Sequence, residues 1–292
     1  MAVTAALVKE LREKTGAGML DCKKALEATD GNLTQAIDYL REKGIAKAAK
    51  KADRIAAEGL CNIAVEGNTA YVYEINSETD FVAKNSEFLS LIDAVGQALV
   101  DNKVTDLESA LAAPLNGKAL ADVIVDATAK IGEKISLRRV IVLTKEDGQT
   151  FGPYLHMGGR IASLALVEGD NDVLAKDIAM HVAASNPQYL DQSQISEDFV
   201  NHEREVLRAE ALNEGKPEAI VDKMVIGRLN KFLKEICLVN QPFVKNPDVT
   251  VEAHAKSLNS QVLSYVRLEV GEGIEKRQDD FAAEVQAQIN KG

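Results

Sequence analysis

The 292-residue chain carries 34 basic and 45 acidic side chains, a formal net charge of −11, with 46% apolar and 27% charged residues. That composition builds hydrophobic cores and excludes general disorder, and a balance this acidic argues against broad affinity for nucleic acid. The length predicts two domains with three pieces allowed, and no run of about 18 apolar residues offers a membrane span.

Cys22, Cys61 and Cys237 are widely spaced and include no C-x-x-C pair. A disulfide framework and a zinc site are therefore not expected, and a reducing cytoplasm fits best. Charge enters the N-terminal segment too early for the apolar centre of a secretory signal. An aromatic share of 4% without Trp leaves little material for stacking bases.

The first 44 residues predict three short helices. Leu7, Val8 and Leu11 begin an apolar stripe that stops at Thr15-Gly16-Ala17-Gly18; Met19, Cys22 and Leu26 share a second face; Asn32 caps a third helix bearing Leu33, Ile37 and Leu40. Residues 43–54 read as a helical, basic linker, with Lys43, Lys47, Lys50, Lys51 and Arg54 spaced by alanines. Two strands follow, 59–65 and 69–76, joined by a turn at Glu66-Gly67-Asn68. Helical spacing resumes at Asp80 and places Phe81, Phe88, Ile92, Val95 and Leu99 on one stripe. Further helices are predicted over 107–112 and 118–130. Strands are predicted over 135–144, 150–156 and 160–167, the last two joined at Gly158-Gly159. A helix over 173–185 is stopped by Asn186-Pro187. Two amphipathic helices, 196–213 and 218–235, read as an antiparallel hairpin. A strand over 261–270 and a closing helix from Asp279 complete the chain. The order strand, turn, Asp-Phe, helix at 74–83 is echoed at 269–283, which a duplicated α+β unit or chance would equally explain.

Catalytic signatures are missing. There is no phosphate-binding glycine loop, no H-E-x-x-H and no G-x-S-x-G. His156, His181, His202 and His254 lack ligand spacing, and Asp170-Asn171-Asp172 lacks the later glycine and glutamate of a calcium loop. No cofactor is expected, and a binding protein is favoured over an enzyme. Three segments stand out as surfaces. At residues 15–24 a glycine turn delivers Met19 and Leu20, which serve equally to close the bundle or to meet an apolar partner. At Thr79-Asp80-Phe81-Val82 a strand ends in a helix that Thr79 can cap; its residues read either as an ordinary buried start or as an acid beside a ring that enters another protein. Residues 154–160 form a hairpin tip carrying His156 and Met157, either a flexible turn or a contact loop.

Together these segments resemble the bacterial elongation factor Ts family. The resemblance rests on T-G-A-G-M and D-C-K-K-A-L within 7–24, A-K-A-A-K-K at 46–51, T-D-F-V-A-K-N at 79–85 and I-A-M-H-V-A-A-S at 178–185. Gln241-Pro242-Phe243-Val244 and E-V-G-E-G-I-E-K at 269–276 complete it, in order along the chain. Leu20 departs from the second Met common in the family, a volume-conserving change. The resemblance implies an α+β fold: a ubiquitin-associated-like three-helix bundle, a core of two related α+β subdomains with antiparallel sheets, and a protruding helical hairpin. The expected divisions are 1–54 for the bundle and linker, 55–140 and 141–278 for the subdomains, 187–231 for the hairpin within the second, and 279–292 for a C-terminal helical module. It also implies a guanine nucleotide-exchange factor that binds elongation factor Tu in its GDP-bound and nucleotide-free states. Thr79, Asp80, Phe81 and Val82 would dislodge the partner's Mg²⁺, with His156 nearby. Arg12, Met19, Leu20 and Lys23 would hold the bundle on the same domain, and Phe243 and Val244 would reach another. No direct nucleic-acid or membrane partner is expected. RNA binding through 43–54, and dimerisation through the hairpin, are the competing readings.

Overall fold

The structure, a computed structural model, describes residues 3–15 and 17–275. The expected module at 279–292 and the echoed Asp280-Phe281 lie outside the described residues. Contacts group the chain into two units: the described parts of Met1–Cys61, Tyr73–Val140 and Glu269–Gly292, and Asn62–Val72 with Ile141–Leu268. Helices and β-sheets mix throughout, the α+β class read from the sequence. Among the described residues no helix is long and apolar enough to cross a membrane.

The first unit opens with α1 (Ala5–Thr15), α2 (Met19–Ala28) and α3 (Leu33–Ala49). Leu11, Cys22, Ala25, Leu26 and Ala36 are their shared core. Asn32 caps α3 as its side chain predicts, accepting the Gln35 amide at 3.1 Å. Strands β1 (Glu58–Glu66) and β2 (Thr69–Ser77) follow, then α4 (Asp80–Ala83), α5 (Ser86–Asp101) and α6 (Leu107–Ala112). A two-residue pair, β3 (Pro114–Leu115) and β4 (Lys118–Ala119), leads into α7 (Leu120–Ile131) and β5 (Ser136–Thr144). The first sheet has the order β1-β2-β5. Tyr73 on β2 donates its hydroxyl to the Ile92 carbonyl of α5 at 2.9 Å, fixing helix to strand.

A bundle this small has a thin core and gains from packing on a neighbour. α3 packs on α7, where the absence of a side chain at Gly44 admits Ala129; a Cβ there would lie 3.2 Å from the alanine methyl. The basic segment is not a separate linker. α3 runs through it to Ala49, after which Lys51 Nζ donates to the Gly132 carbonyl and Arg54 reaches the Glu78 carboxylate at 3.3 Å. Two of its cations are thus spent on contacts inside the unit.

Glu74 on β2 is fully buried and takes four donors. Arg139 Nε at 2.5 Å and Arg138 Nη1 at 3.1 Å donate to Oε2, and Asn76 Nδ2 at 2.9 Å and the Gly271 amide at 2.8 Å donate to Oε1. Burial works against the Arg139 charge, but pairing with Glu74 and Glu272 more than offsets it and pushes its pKa up. Gly271 has φ 73° and approaches Ala57 so closely that a Cβ would meet its carbonyl oxygen at 2.2 Å, which accounts for glycine at that position.

In the second unit β6 (Gln149–His156) pairs antiparallel with β7 (Ile161–Glu168), from Gln149 opposite Glu168 to His156 opposite Ile161. α8 (Asp172–Ser185) covers them, with Leu174, Ile178 and Val182 in the core beside Ala165 and Val167. α9 (Glu197–Asn213) and α10 (Glu218–Ile236) form the expected antiparallel hairpin, stitched by Leu229, Leu233 and Ile236 against Phe199, Val200 and Leu207. β8 (Pro242–Phe243), β9 (Asn246–Thr250) and the short α11 (Val251–Ser257) were not foreseen. They precede β10 (Val262–Glu269), which joins a second three-stranded sheet in the order β10-β7-β6.

Candidate functional site

The corner between β2 and α5 is where the sequence and the structure diverge most usefully. Helix α4 lasts a single turn. Lys84 closes it at φ −101°, ψ −3°, then Asn85 extends at φ −75°, ψ 135° and starts α5 afresh by accepting the Glu87 amide at 2.8 Å. That break resets the helical phase. Phe88, Ile92, Val95 and Leu99 are buried as the stripe predicts, but Phe81 is not on it: its ring is 80% exposed, and Val82 and Ala83 take the buried side instead. The reading of Phe81 as an ordinary core residue is therefore corrected.

The corner is held from outside its own segment. Glu133, just past α7, accepts the Glu78 amide at 3.1 Å and the Thr79 amide at 2.9 Å on Oε2. Its Oε1 accepts the Thr79 hydroxyl at 2.7 Å. Thr79 does occupy the N-cap position, but its hydroxyl is committed to Glu133 and makes no capping bond. Glu78 reciprocates, accepting the Lys134 amide at 2.6 Å and the Arg54 guanidinium. Ser77 Oγ donates to the Thr79 carbonyl at 3.0 Å. Asp80, in the first turn where the helix dipole favours an acid, accepts from Lys84 Nζ at 2.9 Å with its side chain half exposed. The result is an exposed ring beside a carboxylate on a pinned backbone.

Elsewhere in the first unit, the α1–α2 turn is stitched to itself. Thr15 Oγ1 donates to the Leu11 carbonyl at 2.7 Å, and Cys22 Sγ donates to the Ala17 carbonyl at 3.6 Å. Cys22 and Leu26 enter the core, leaving Met19 62% and Leu20 74% exposed. Arg12 is exposed, and Lys23 pairs loosely with Glu27 at 3.8 Å. Four side chains expected to act together thus lie on one small bundle, with the two apolar ones available.

The second unit carries the remaining expected residues. His156 is exposed at the end of β6, its Nδ1 3.2 Å from the Tyr154 hydroxyl, beside the exposed Met157. Phe243 is placed otherwise than expected. It is 2% exposed and stacks on His254 with ring centroids 4.2 Å apart, so its ring has no face for a partner, whereas neighbouring Val244 is exposed. The reason lies in a buried chain of hydrogen bonds. Gln241 donates Nε2 to the Glu235 carbonyl at 2.7 Å, which turns Oε1 to accept from His181 Nε2 at 2.9 Å; His181 Nδ1 then accepts the Val244 amide at 3.1 Å. Burial pushes the His181 pKa down, so the imidazole sits neutral as a structural brace.

Sequence reasoning missed Glu133 and Glu78, because an acid accepting backbone amides more than 50 residues away leaves no periodic signal. Among the described residues no group of three or more His, Cys, Asp or Glu side chains is placed to hold a metal ion. The sequence pattern of the family described as Elongation factor TS matches residues 78–272, about two thirds of the chain, beginning at the pinned corner and ending at the Gly271 turn. The chain belongs to the elongation factor Ts family, whose members are nucleotide-exchange factors for elongation factor Tu in translation elongation.

Proposed function

We propose that this chain speeds GDP release by presenting the Asp80–Phe81 corner to the GTP-binding domain of elongation factor Tu, where it disturbs the Mg²⁺ and phosphate contacts. The observation that carries the reading is the 80% exposed Phe81 ring, set on a corner whose Val82 and Ala83 are anchored inside. Anchored in this way, the ring offers a partner a fixed apolar surface to cover.

The energetics are those of differential binding. A GTPase grips GDP through Mg²⁺ bridging phosphate oxygens and through surrounding donors. A partner that binds better when those elements are displaced weakens nucleotide binding by the same factor, by reciprocity. Acceleration of a thousandfold to ten-thousandfold requires about 4–5.5 kcal/mol. Burying one Phe supplies about 1.5–3 kcal/mol. Asp80 must contribute the rest together with Arg12, Met19, Leu20 and Lys23 on the bundle and with His156 and Val244. No bond is made or broken by this chain.

The test is stopped-flow release of fluorescent GDP from elongation factor Tu with the wild type, Asp80→Ala and Phe81→Ala. Phe81→Ala is expected to lose about tenfold to a hundredfold of the stimulation, with a smaller loss of complex formation. Wild-type acceleration by both variants removes the wedge.

A further inference from the structure

We propose that Glu133 is a positioning residue for nucleotide exchange, holding the Phe81 ring in its projecting orientation through the backbone of Glu78 and Thr79. This inference rests on the reading of Phe81 given above and names the part of the chain that makes that ring usable.

Three observations carry it. First, α4 cannot hold itself: a single turn of four residues sits below the length at which a helix sustains its own hydrogen bonds, so the direction of Phe81 must be imposed from outside. Second, Glu133 takes three donors just past the strand end, two amides and the Thr79 hydroxyl, at 2.7–3.1 Å. Those bonds immobilise the residue immediately before Asp80. Third, the arrangement is reciprocal. Gly132, at φ 91°, ends α7 and turns Glu133 toward the corner, while Glu78 reaches back to the Lys134 amide at 2.6 Å. Each acid therefore accepts the backbone of the other's segment, and neither segment can shift without breaking a charge-assisted bond. Lys51 and Arg54 brace the same two segments at the Gly132 carbonyl and the Glu78 carboxylate.

Freed from Glu133, the corner would sample several orientations, and the fraction able to enter the partner would fall. Because the bundle still docks the chain, it is the saturating rate that falls with that fraction. The ordering lost before docking must then be regained during it.

The experiment measures stimulated GDP release against concentration of the full chain for Glu133→Ala, Glu133→Gln and Phe81→Ala, alongside amide hydrogen exchange of the free protein. Glu133→Ala is expected to lower the saturating rate about tenfold, with the half-saturating concentration changing by less than about threefold, since the bundle is untouched. Glu133→Gln can still accept both amides on its carbonyl oxygen and donate to the Thr79 hydroxyl, so it retains most of the rate. In Glu133→Ala the Thr79 amide exchanges faster while the α5 amides keep their protection. Should Glu133→Ala fail to fold, Thr79→Val removes only the hydroxyl donor and is expected to lower the saturating rate about threefold. Full stimulation by a folded Glu133→Ala, with Phe81→Ala impaired, overturns the positioning role and leaves the wedge standing. A loss in Glu133→Ala accompanied by weakened protection across α5 marks a general folding role and also overturns it. Full stimulation by Phe81→Ala overturns the wedge itself, and the positioning role with it.

Discussion

Replacing Glu74 by Gln tests how much the buried ionic network contributes to the first unit. All four groups on the carboxylate are donors: Arg139 Nε and Arg138 Nη1 on one oxygen, Asn76 Nδ2 and the Gly271 amide on the other. Arg138 Nη1 also lies 3.3 Å from Oε1. A glutamine turns one of the oxygens into an NH₂ group, which leaves Arg139 Nε facing a donor in one orientation and Asn76 Nδ2 with the Gly271 amide facing one in the other. Removing one partner of a buried ion pair costs about 3–5 kcal/mol. The lower end applies here, because both arginines are about a quarter exposed and keep other acceptors. Arg138 Nη2 retains the Glu272 carbonyl at 2.6 Å, and Arg139 retains the Glu269 carbonyl at 2.7 Å and the Glu272 carboxylate at 3.2 Å. The expected loss is therefore about 3 kcal/mol. Urea unfolding followed by circular dichroism reads it directly. With a slope of about 3 kcal/mol/M the midpoint falls by roughly 1 M. A midpoint within about 0.2 M of wild type would mean that desolvating the carboxylate costs as much as its four bonds return.

Two further outcomes are expected. His181 has a folded pKa below its unfolded value, so between the two the unfolded chain binds a proton that the folded chain refuses. Stability is complete above about pH 6.5 and declines as the pH falls below it, by at most about 1.4 kcal/mol per pH unit. Thermal unfolding at pH 7.5 and 5.5 checks this against His181→Gln, in which the extra acid sensitivity should vanish; an imidazole that titrates by NMR at or above the ordinary value refutes it. Met19→Ala should weaken the complex with elongation factor Tu about fivefold to thirtyfold, the value of burying most of one Met side chain. Its maximal release rate should stay near wild type. Titration calorimetry beside stopped-flow separates the two, and unchanged affinity removes the bundle from the contact surface.

What the sequence made legible follows from where its information is stored. Periodicity is local, so the three bundle helices, the β1–β2 turn, the α9–α10 hairpin and the stripe of Phe88, Ile92, Val95 and Leu99 could all be read from neighbouring residues. Short elements such as β8, β9 and α11 carry too few turns to register a period. The corner failed for a different reason. Extending the α5 stripe back to Phe81 assumes an unbroken helix, and one extended residue, Asn85, is enough to shift the phase and turn the ring outward. Phe243, which the resemblance pairs with Val244 as a partner contact, is drawn inside by the His181–Gln241 chain and the His254 ring. One case turned on a local break in the helix, the other on contacts distant in sequence. Such distant contacts also explain how an exchange factor can keep a bulky apolar ring in water at all. Here the backbone beneath it is fixed by Glu133 and by the burial of Val82 and Ala83, so the ring's exposure is a property of the surrounding scaffold and remains available for a partner to cover.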